Sequence, residues 1–198
     1  MTVPIVCIVE GDGEVRALPV LLRRLAQSRG IHDADIPPPI RVRRDQFLRR
    51  PEEFERKMAL ATAKARGGTV LVLLDADDDC PVAIAKEVEA RGQPLMHRAA
   101  LAVVIANREY EAWLIAAAES LAGRRGLRND LAAPAEPDAV RNAKGWISHG
   151  VAGGRYHEVS DQPALTAVFD IEMACQRSRS FQRLVKVMEA ALSRAGAA

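Results

Sequence analysis

Asp75, Asp77, Asp78 and Asp79 put four carboxylates into five consecutive positions near the end of the stretch LVLLDADDDCP, residues 71–81. Packing Asp75 and Asp77 together raises their Coulomb energy unless a cation or a proton lies between them. A hard divalent cation, Mg²⁺ or Mn²⁺, answers that need: it takes oxygen ligands and keeps several waters, so two or three carboxylates suffice. A second acidic group is Glu10-Gly11-Asp12-Gly13-Glu14, and a third is Asn107-Arg108-Glu109-Tyr110-Glu111. A solvated acidic loop would explain any one of them. Three at equivalent places in the chain point to a shared patch.

Competing chemistries fail on register or on missing partners. An EF-hand loop starting at Asp75 needs Gly at its sixth and Glu at its twelfth position, where the chain has Cys80 and Lys86. A phosphoaspartyl enzyme needs a positioned lysine or hydroxyl to steady the phosphoryl group, and none stands out. No GxSxG elbow is present for Ser-His-Asp hydrolysis. The Gly11-Asp12-Gly13 loop lacks the Lys-Ser/Thr ending of a phosphate loop. His32, His97, His149 and His157 lack ligand spacing, so softer metals fit poorly. Cys7, Cys80 and Cys175 are odd in number and far apart, which leaves neither a disulfide framework nor a CxxC site. Carboxylates below Cys80 in the chain oppose thiolate formation, and it reads as structural.

The elements that must position the acids follow from pattern. The apolar run from Leu71 has no alternation and reads as a strand buried on both faces, with its acids at the exit. Val3 to Val9 is a similar strand ending at Glu10, and Leu101 to Ala106 a fourth, ending at the Glu109/Glu111 group. Ile40 to Arg44, behind a proline-rich connection, is expected as an edge strand. Helices are expected from a start near Glu14–Leu18, because Pro19 suits only a first turn, from Pro51 to about Arg66, from Pro81 to about Arg91, and on to about Leu121. Asp79 is expected to cap the third of these. Ala122 to Pro137 reads as a loop. Helices follow over Asp138 to Ile147, about Gln162 to Cys175, and Phe181 to Leu192, the last with Ser180 as candidate cap. Strand and helix thus alternate four times, giving an α/β fold with a parallel sheet of about four strands, Rossmann-like, plus a C-terminal helical extension. Open sheets of this kind bind ligands at the carboxyl ends of their strands. The expected division is an α/β domain over 1–122 with helices 123–198 packed on it.

At 198 residues, 48% of them hydrophobic, the chain can bury a sizeable core, and disorder is not expected. Its net charge of +2 is too small to forecast a nucleic-acid partner from composition. No stretch approaches the ~20 apolar residues of a membrane span, and the first residues do not read as a signal peptide. The expectation is a cytoplasmic protein in a reducing compartment.

Glu10-Gly11 after a first strand, Glu14 four residues on, and Asp75-x-Asp77 after a third strand resemble the Toprim domain of topoisomerases, primases and the overcoming-lysogenization-defect (OLD) nucleases. The EGxxE form is closer to the OLD nucleases. More narrowly, IVEGDGE, LLDADDDCP, NREYEAWL, Asp161-Gln162-Pro163 and Ser180-Phe181 are similar to the bacterial domain of unknown function family 4276 (DUF4276), over nearly the whole chain. The resemblance implies a Toprim-like fold and a Mg²⁺- or Mn²⁺-dependent nuclease acting on DNA or RNA. Glu10 would be the general acid/base, Asp75 and Asp77 metal ligands, and Glu14 an additional acid for a second metal. Glu109 or Glu111 could complete the set, by position after the fourth strand only. Arg108, next to Glu109, and Lys144, in a segment with Trp146, are the candidates for phosphate contacts. Tyr110 and Tyr156 are expected to pack, not to act as topoisomerase nucleophiles. The resemblance also implies an ATPase partner of the AAA or ABC type in phage or foreign-DNA defence, and it allows a homo-oligomer. The alternative is a non-catalytic Toprim-like subunit whose function is to bind such an ATPase.

Overall fold

A computed structural model describes residues 4–196. Four parallel strands, β1 (Ile5–Val9), β2 (Ile40–Arg41), β3 (Thr69–Asp75) and β4 (Ala100–Ala106), form one sheet in the order β2-β1-β3-β4. The expected α/β architecture with a parallel sheet flanked by helices is present. Val3, the expected first residue of β1, lies outside the described residues. The apolar runs serve two faces at once. Cys7 and Val9 of β1 and Leu71 and Leu73 of β3 enter one core, while Val6, Ile8, Val70, Val72 and Leu74 enter the other. This is why the strands read as continuous apolar runs.

The first core lies under α1 (Asp12–Gln27) and the helices beyond β4. The second lies under α2 (Arg44–Arg49), α3 (Pro51–Ala65) and α4 (Pro81–Gly92). Strand order reverses between β1 and β3: β1 connects outward to β2, and β3 connects the other way to β4. Such a switch point opens a crevice at the carboxyl ends of the two central strands. Glu10 follows β1 directly, and Asp75 is the last residue of β3.

Past β4 come α5 (Glu111–Ala116), α6 (Ala118–Leu121), α7 (Ala143–Gly150), α8 (Glu158–Thr166), α9 (Ile171–Arg177) and α10 (Arg179–Gly196). Leu165, Phe169, Phe181, Leu184 and Met188 of this region share the first core with Leu18, Leu21 and Trp113. No helix of the described residues is long and apolar enough to cross a membrane.

Several boundaries differ from expectation. Helix α1 begins at Asp12, and Pro19 lies inside it, at its eighth residue. Proline there removes one hydrogen bond, to the Val15 carbonyl, and burial of Leu18, Leu21, Leu22 and Leu25 outweighs that loss. The edge strand ends at Arg41, and Arg44 already belongs to α2. The helix expected over Gln162 to Cys175 is two helices, broken where Asp170 accepts the Met173 N–H at 2.9 Å. The one expected from Asp138 starts only at Ala143, where Asn142 caps it by accepting from Gly145. Asp79 does not cap α4; it pairs with Arg44 at 2.6 Å. Cys80 is exposed, and all three cysteines are free.

Ser180 does not cap α10 either: Ser178 Oγ accepts the Phe181 N–H at 3.2 Å. Ser180 Oγ instead accepts the indole N–H of buried Trp113 at 2.9 Å, in a cluster where Trp113 meets Tyr110 and Phe181 at centroid distances of 4.8 and 5.4 Å. Ser180→Ala should therefore cost about 1–3 kcal/mol by leaving that N–H unsatisfied. Ser178→Ala should cost about 1 kcal/mol as a lost cap. Thermal denaturation of the two variants checks the ordering; equal, negligible losses would contradict it.

Candidate functional site

The carboxylates gather at the switch point. Asp75 and Glu14 are buried, Glu111 is fully buried, and Glu10 is partly so. Glycines make the gathering possible. A Cβ at Gly11 would collide with the Glu14 carboxylate and lie 2.9 Å from Glu158 Oε1. One at Gly13 would collide with Gln162 Oε1 and lie 2.7 Å from Glu158 Cγ. The two glycines thus serve close packing of α8 on the first turn of α1. Glu158 and Gln162, four apart, lie on one face of α8 and reach the site together.

Hydrogen bonds fix part of the cluster. Gln162 Nε2 donates to Glu14 Oε1 at 3.0 Å and to Glu111 Oε1 at 3.1 Å. The opposite amide orientation would turn a carbonyl oxygen toward two carboxylates, so this one is electrostatically preferred. The Tyr156 hydroxyl donates to Glu111 Oε1 at 2.8 Å, and the Tyr110 backbone N–H donates to Asp75 Oδ1 at 2.9 Å. The second oxygens, Oε2 of Glu10, of Glu14 and of Glu111, are buried without a hydrogen-bond partner. A buried carboxylate oxygen with free lone pairs is costly unless a proton or cation serves it.

The one lysine at the site, Lys144 of α7, pairs with Glu158 at 2.8 Å. Burial works against its ammonium, but Glu111, Glu158 and Asp75 outweigh burial and raise its pKa. The carboxyls move up. Burial, then Glu14 and Asp77, push Glu10 to about 7, against the pull of Arg44 and Lys144. Burial likewise takes Glu111 to about 7, with Lys144 and the Tyr156 hydroxyl opposing. Asp75 is raised well above its ordinary range by burial, then by Glu10, Glu14 and Glu111.

Asp77 stands apart from its neighbour. Its backbone is left-handed (φ 51°) and its side chain is 59% exposed, 3.7 Å from Arg44. Arg44 also donates to the carbonyls of Asp75 (3.0 Å) and Ala76 (3.3 Å). On the other side, Arg108 (φ 65°) donates to the Asp77 carbonyl at 2.9 Å and pairs with Asp78, while its own carbonyl accepts the Asp77 N–H at 2.9 Å. Both predicted phosphate contacts are thus engaged by acids, Arg108 by Asp78 and Lys144 by Glu158. Of the two nominated glutamates after β4, Glu111 joins the cluster. Glu109 turns to the start of α7, accepting the Lys144 backbone N–H at 3.2 Å.

Arg44, Tyr156, Glu158 and Gln162 were not among the sequence candidates. For Gln162 a signal existed in the Asp161-Gln162-Pro163 motif; Tyr156 was read as a packing group and in fact supplies a donor. Among the described residues, no three His, Cys, Asp or Glu side chains converge closely enough to form a ready-made metal cage.

Fold and site together define an α/β protein with a carboxylate cluster at the switch point of a parallel sheet. A family model described as a domain of unknown function (DUF4276) matches residues 9–189, and the chain belongs to that family. The match takes in Glu10 and all the other side chains of the cluster. No curated protein and no solved structure was found to match the chain.

Glu10 and Glu111 hold their protons more tightly folded than unfolded, since both rise from an ordinary value of 4.5 to about 7. Between those values the native state carries the extra protons, so stability falls as pH rises and is lowest above about 7. In chelator, the protein should melt several degrees higher at pH 5.5 than at pH 8, with about 2 kcal/mol per group at stake over that interval. Glu111→Gln should flatten that dependence. Melting curves across pH check both; a melting temperature that rises steadily from pH 5.5 to 8 would contradict the assignment.

Proposed function

We propose that this protein is a Toprim-like nuclease that uses Mg²⁺ or Mn²⁺ to hydrolyse nucleic-acid phosphodiester bonds. The observation that carries the reading is the set of buried carboxylate oxygens on Glu10, Glu14 and Glu111 that have no partner, grouped with Asp75 where two central strands of a parallel sheet diverge. The donor set fits a hard cation: all oxygen, several negative charges, and no His or Cys among them. Asp75, Glu14 and Glu111 would hold the metal, with Asp77 reached by turning away from Arg44. A bound cation of this kind supplies Lewis-acid polarisation of the phosphate and lowers the pKa of water.

The remaining roles belong to the chain. Glu10 takes or gives the proton at the attacking or departing oxygen, as general acid/base; a carboxyl that titrates near neutrality suits that task. Gln162 and Tyr156 orient Glu14 and Glu111 through the bonds described above. Lys144 limits the repulsion between the carboxylates while the site is open. The reading extends to an ATPase partner of the AAA or ABC type, a role in defence against foreign DNA, and DNA or RNA as substrate.

A second reading, a non-catalytic subunit that binds such an ATPase, is favoured by two observations: among the described residues no three acids stand at ligand distance, and Asp77 faces an arginine. Cleavage separates the two. Purified protein with Mg²⁺ or Mn²⁺ should cut single- or double-stranded DNA or RNA, alone or with the ATPase. Asp75→Asn should abolish cutting, because it removes a buried negative charge but keeps the acceptor for the Tyr110 N–H. It should also raise the melting temperature in chelator at pH 8, by relieving carboxylate repulsion, and reduce the stabilisation conferred by added metal. Cutting that persists in Asp75→Asn would place the activity elsewhere. Absence of cutting under every condition would favour the non-catalytic subunit.

A further inference from the structure

Beside the carboxylate cluster lies an open cavity of about 430 Å³, lined by Glu10, Gly11, Asp77, Arg43, Arg44, Asp45 and Gln46. It is the approach to Glu10 from the β2 side of the sheet. Five arginines occupy the segment that forms this wall, at positions 41, 43, 44, 49 and 50. Their fates differ. Arg41 pairs with Asp12 at 3.0 Å. Arg44 is only 15% exposed in its side chain and is spent on the acidic loop, bonding two backbone carbonyls and Asp79. Arg43 is exposed and lines the cavity with Glu10, yet among the described residues it makes neither an ion pair nor a side-chain hydrogen bond. Arg49 and Arg50 are exposed too, but neither lines this cavity.

The geometry points to Arg43 as the residue that grips the nucleic-acid backbone at the entrance to the site, through a phosphate next to the one that meets the carboxylates. The inference rests on the nuclease reading above and names its substrate contact. Three features carry it. The guanidinium is a planar fork that takes two phosphate oxygens at once, and an arginine held by no acid keeps all its donors for that purpose. The two cations nominated from sequence, Arg108 and Lys144, are neutralised by Asp78 and Glu158. And the cavity wall carries three acids, Glu10, Asp45 and Asp77, against Arg43 and Arg44. A polyanion entering such a place needs a cation whose charge is uncommitted, and on this wall that is Arg43. Arg43 acts as a positioning residue, not as a participant in bond breaking.

The test uses binding, so that it does not depend on turnover. Asp75→Asn protein, which by the reading above retains the strand uncut, is titrated with a labelled oligonucleotide in Mg²⁺ across a salt series, followed by fluorescence anisotropy. Wild-type protein in chelator serves as a second background. Adding Arg43→Ala should weaken binding about tenfold and lower the slope of log affinity against log salt by about one. Arg43→Lys should keep the slope while recovering only part of the affinity. Arg98→Ala, an exposed arginine at the amino end of β4, opposite the site, should change neither. Melting temperatures of all variants should stay close to the parent's, since Arg43 buries nothing. Unchanged affinity and slope in Arg43→Ala, or an equal loss in Arg98→Ala, overturns the inference. If wild type cuts nucleic acid and Arg43→Ala binds as well as its parent, this inference alone falls and the nuclease reading stands. If neither background binds any oligonucleotide and wild type cuts none, both fall together.

Discussion

The crowding of carboxylates in low dielectric at one point of the sheet is the constraint on which this structure turns. Burial raises the proton affinity of Glu10, Asp75 and Glu111, and the charge of Glu14 raises it further on each; Glu10 and Glu111 act likewise on Asp75. One ammonium, Lys144, faces the group and is already shared with Glu158. Charge cannot balance by side chains alone. Either protons remain on the carboxyls or a further cation enters, and the upward shifts of Glu10 and Glu111 are the protein's state in the first case. Crowding of this sort is destabilising, so a fold that retains it keeps a site and not an optimum of stability.

The arrangement needs both halves of the chain. The sheet delivers Glu10 and Asp75 because β1 and β3 are neighbours whose connections diverge. It cannot by itself orient Glu14 or Glu111. Those are held by Gln162 and Tyr156, from the helical region beyond β4. That region reaches them where α8 lies directly against Gly11 and Gly13, at which a Cβ would meet Glu158 and, at Gly13, Gln162 as well. The motif Glu10-Gly11-Asp12-Gly13-Glu14 therefore encodes two acids and the clearance that lets a remote helix cover them. Trp113, bonded to Ser180 and flanked by Phe181, ties the same region to the helix that follows β4.

Much of this was legible before any coordinates. Strands buried on both faces announce themselves as unbroken apolar runs, and acids at their ends have nowhere to go but the sheet's rim; hence the sheet, its parallel character and the acidic patch could be read. What could not be read was direction. Glu109 and Glu111 are two residues apart, and only the turn into α5 decides that Glu111 faces the cluster while Glu109 faces α7. Pro19 misled because proline costs a helix one bond, a local penalty that a heavily buried apolar face overrides. Asp79 and Ser180 misled for a common reason: a polar residue near a helix start suits a cap, but an arginine or an indole from a distant segment outbid the helix end. Arg44 was invisible as a site residue because its partners lie 31 or more positions away; Gln162 lay in a recognisable motif, but its partners, Glu14 and Glu111, are too distant in the chain for its role to be read.

Asp75 and Asp77 show how two residues of one motif are driven to opposite states. Asp75 ends a strand with its side chain buried and one oxygen on a backbone N–H. One residue on, the chain still bonds to β4, through the Ala76 N–H and the Ala106 carbonyl. It can leave the sheet only by a sharp turn, and Asp77 takes a left-handed backbone to make it. That conformation is uncommon outside glycine, though aspartate tolerates it better than most. It faces a second left-handed residue, Arg108, across reciprocal hydrogen bonds. Two such residues store on the order of 1–3 kcal/mol each, held in place by Arg44 on one side and Arg108 on the other. The arginines brace the loop by its backbone carbonyls as well as by its acids, so the turn would keep its shape if the Asp77 carboxylate were drawn off Arg44. The loop is thus braced in its main chain on both sides of Asp77, whose carboxylate lines the same cavity as Glu10.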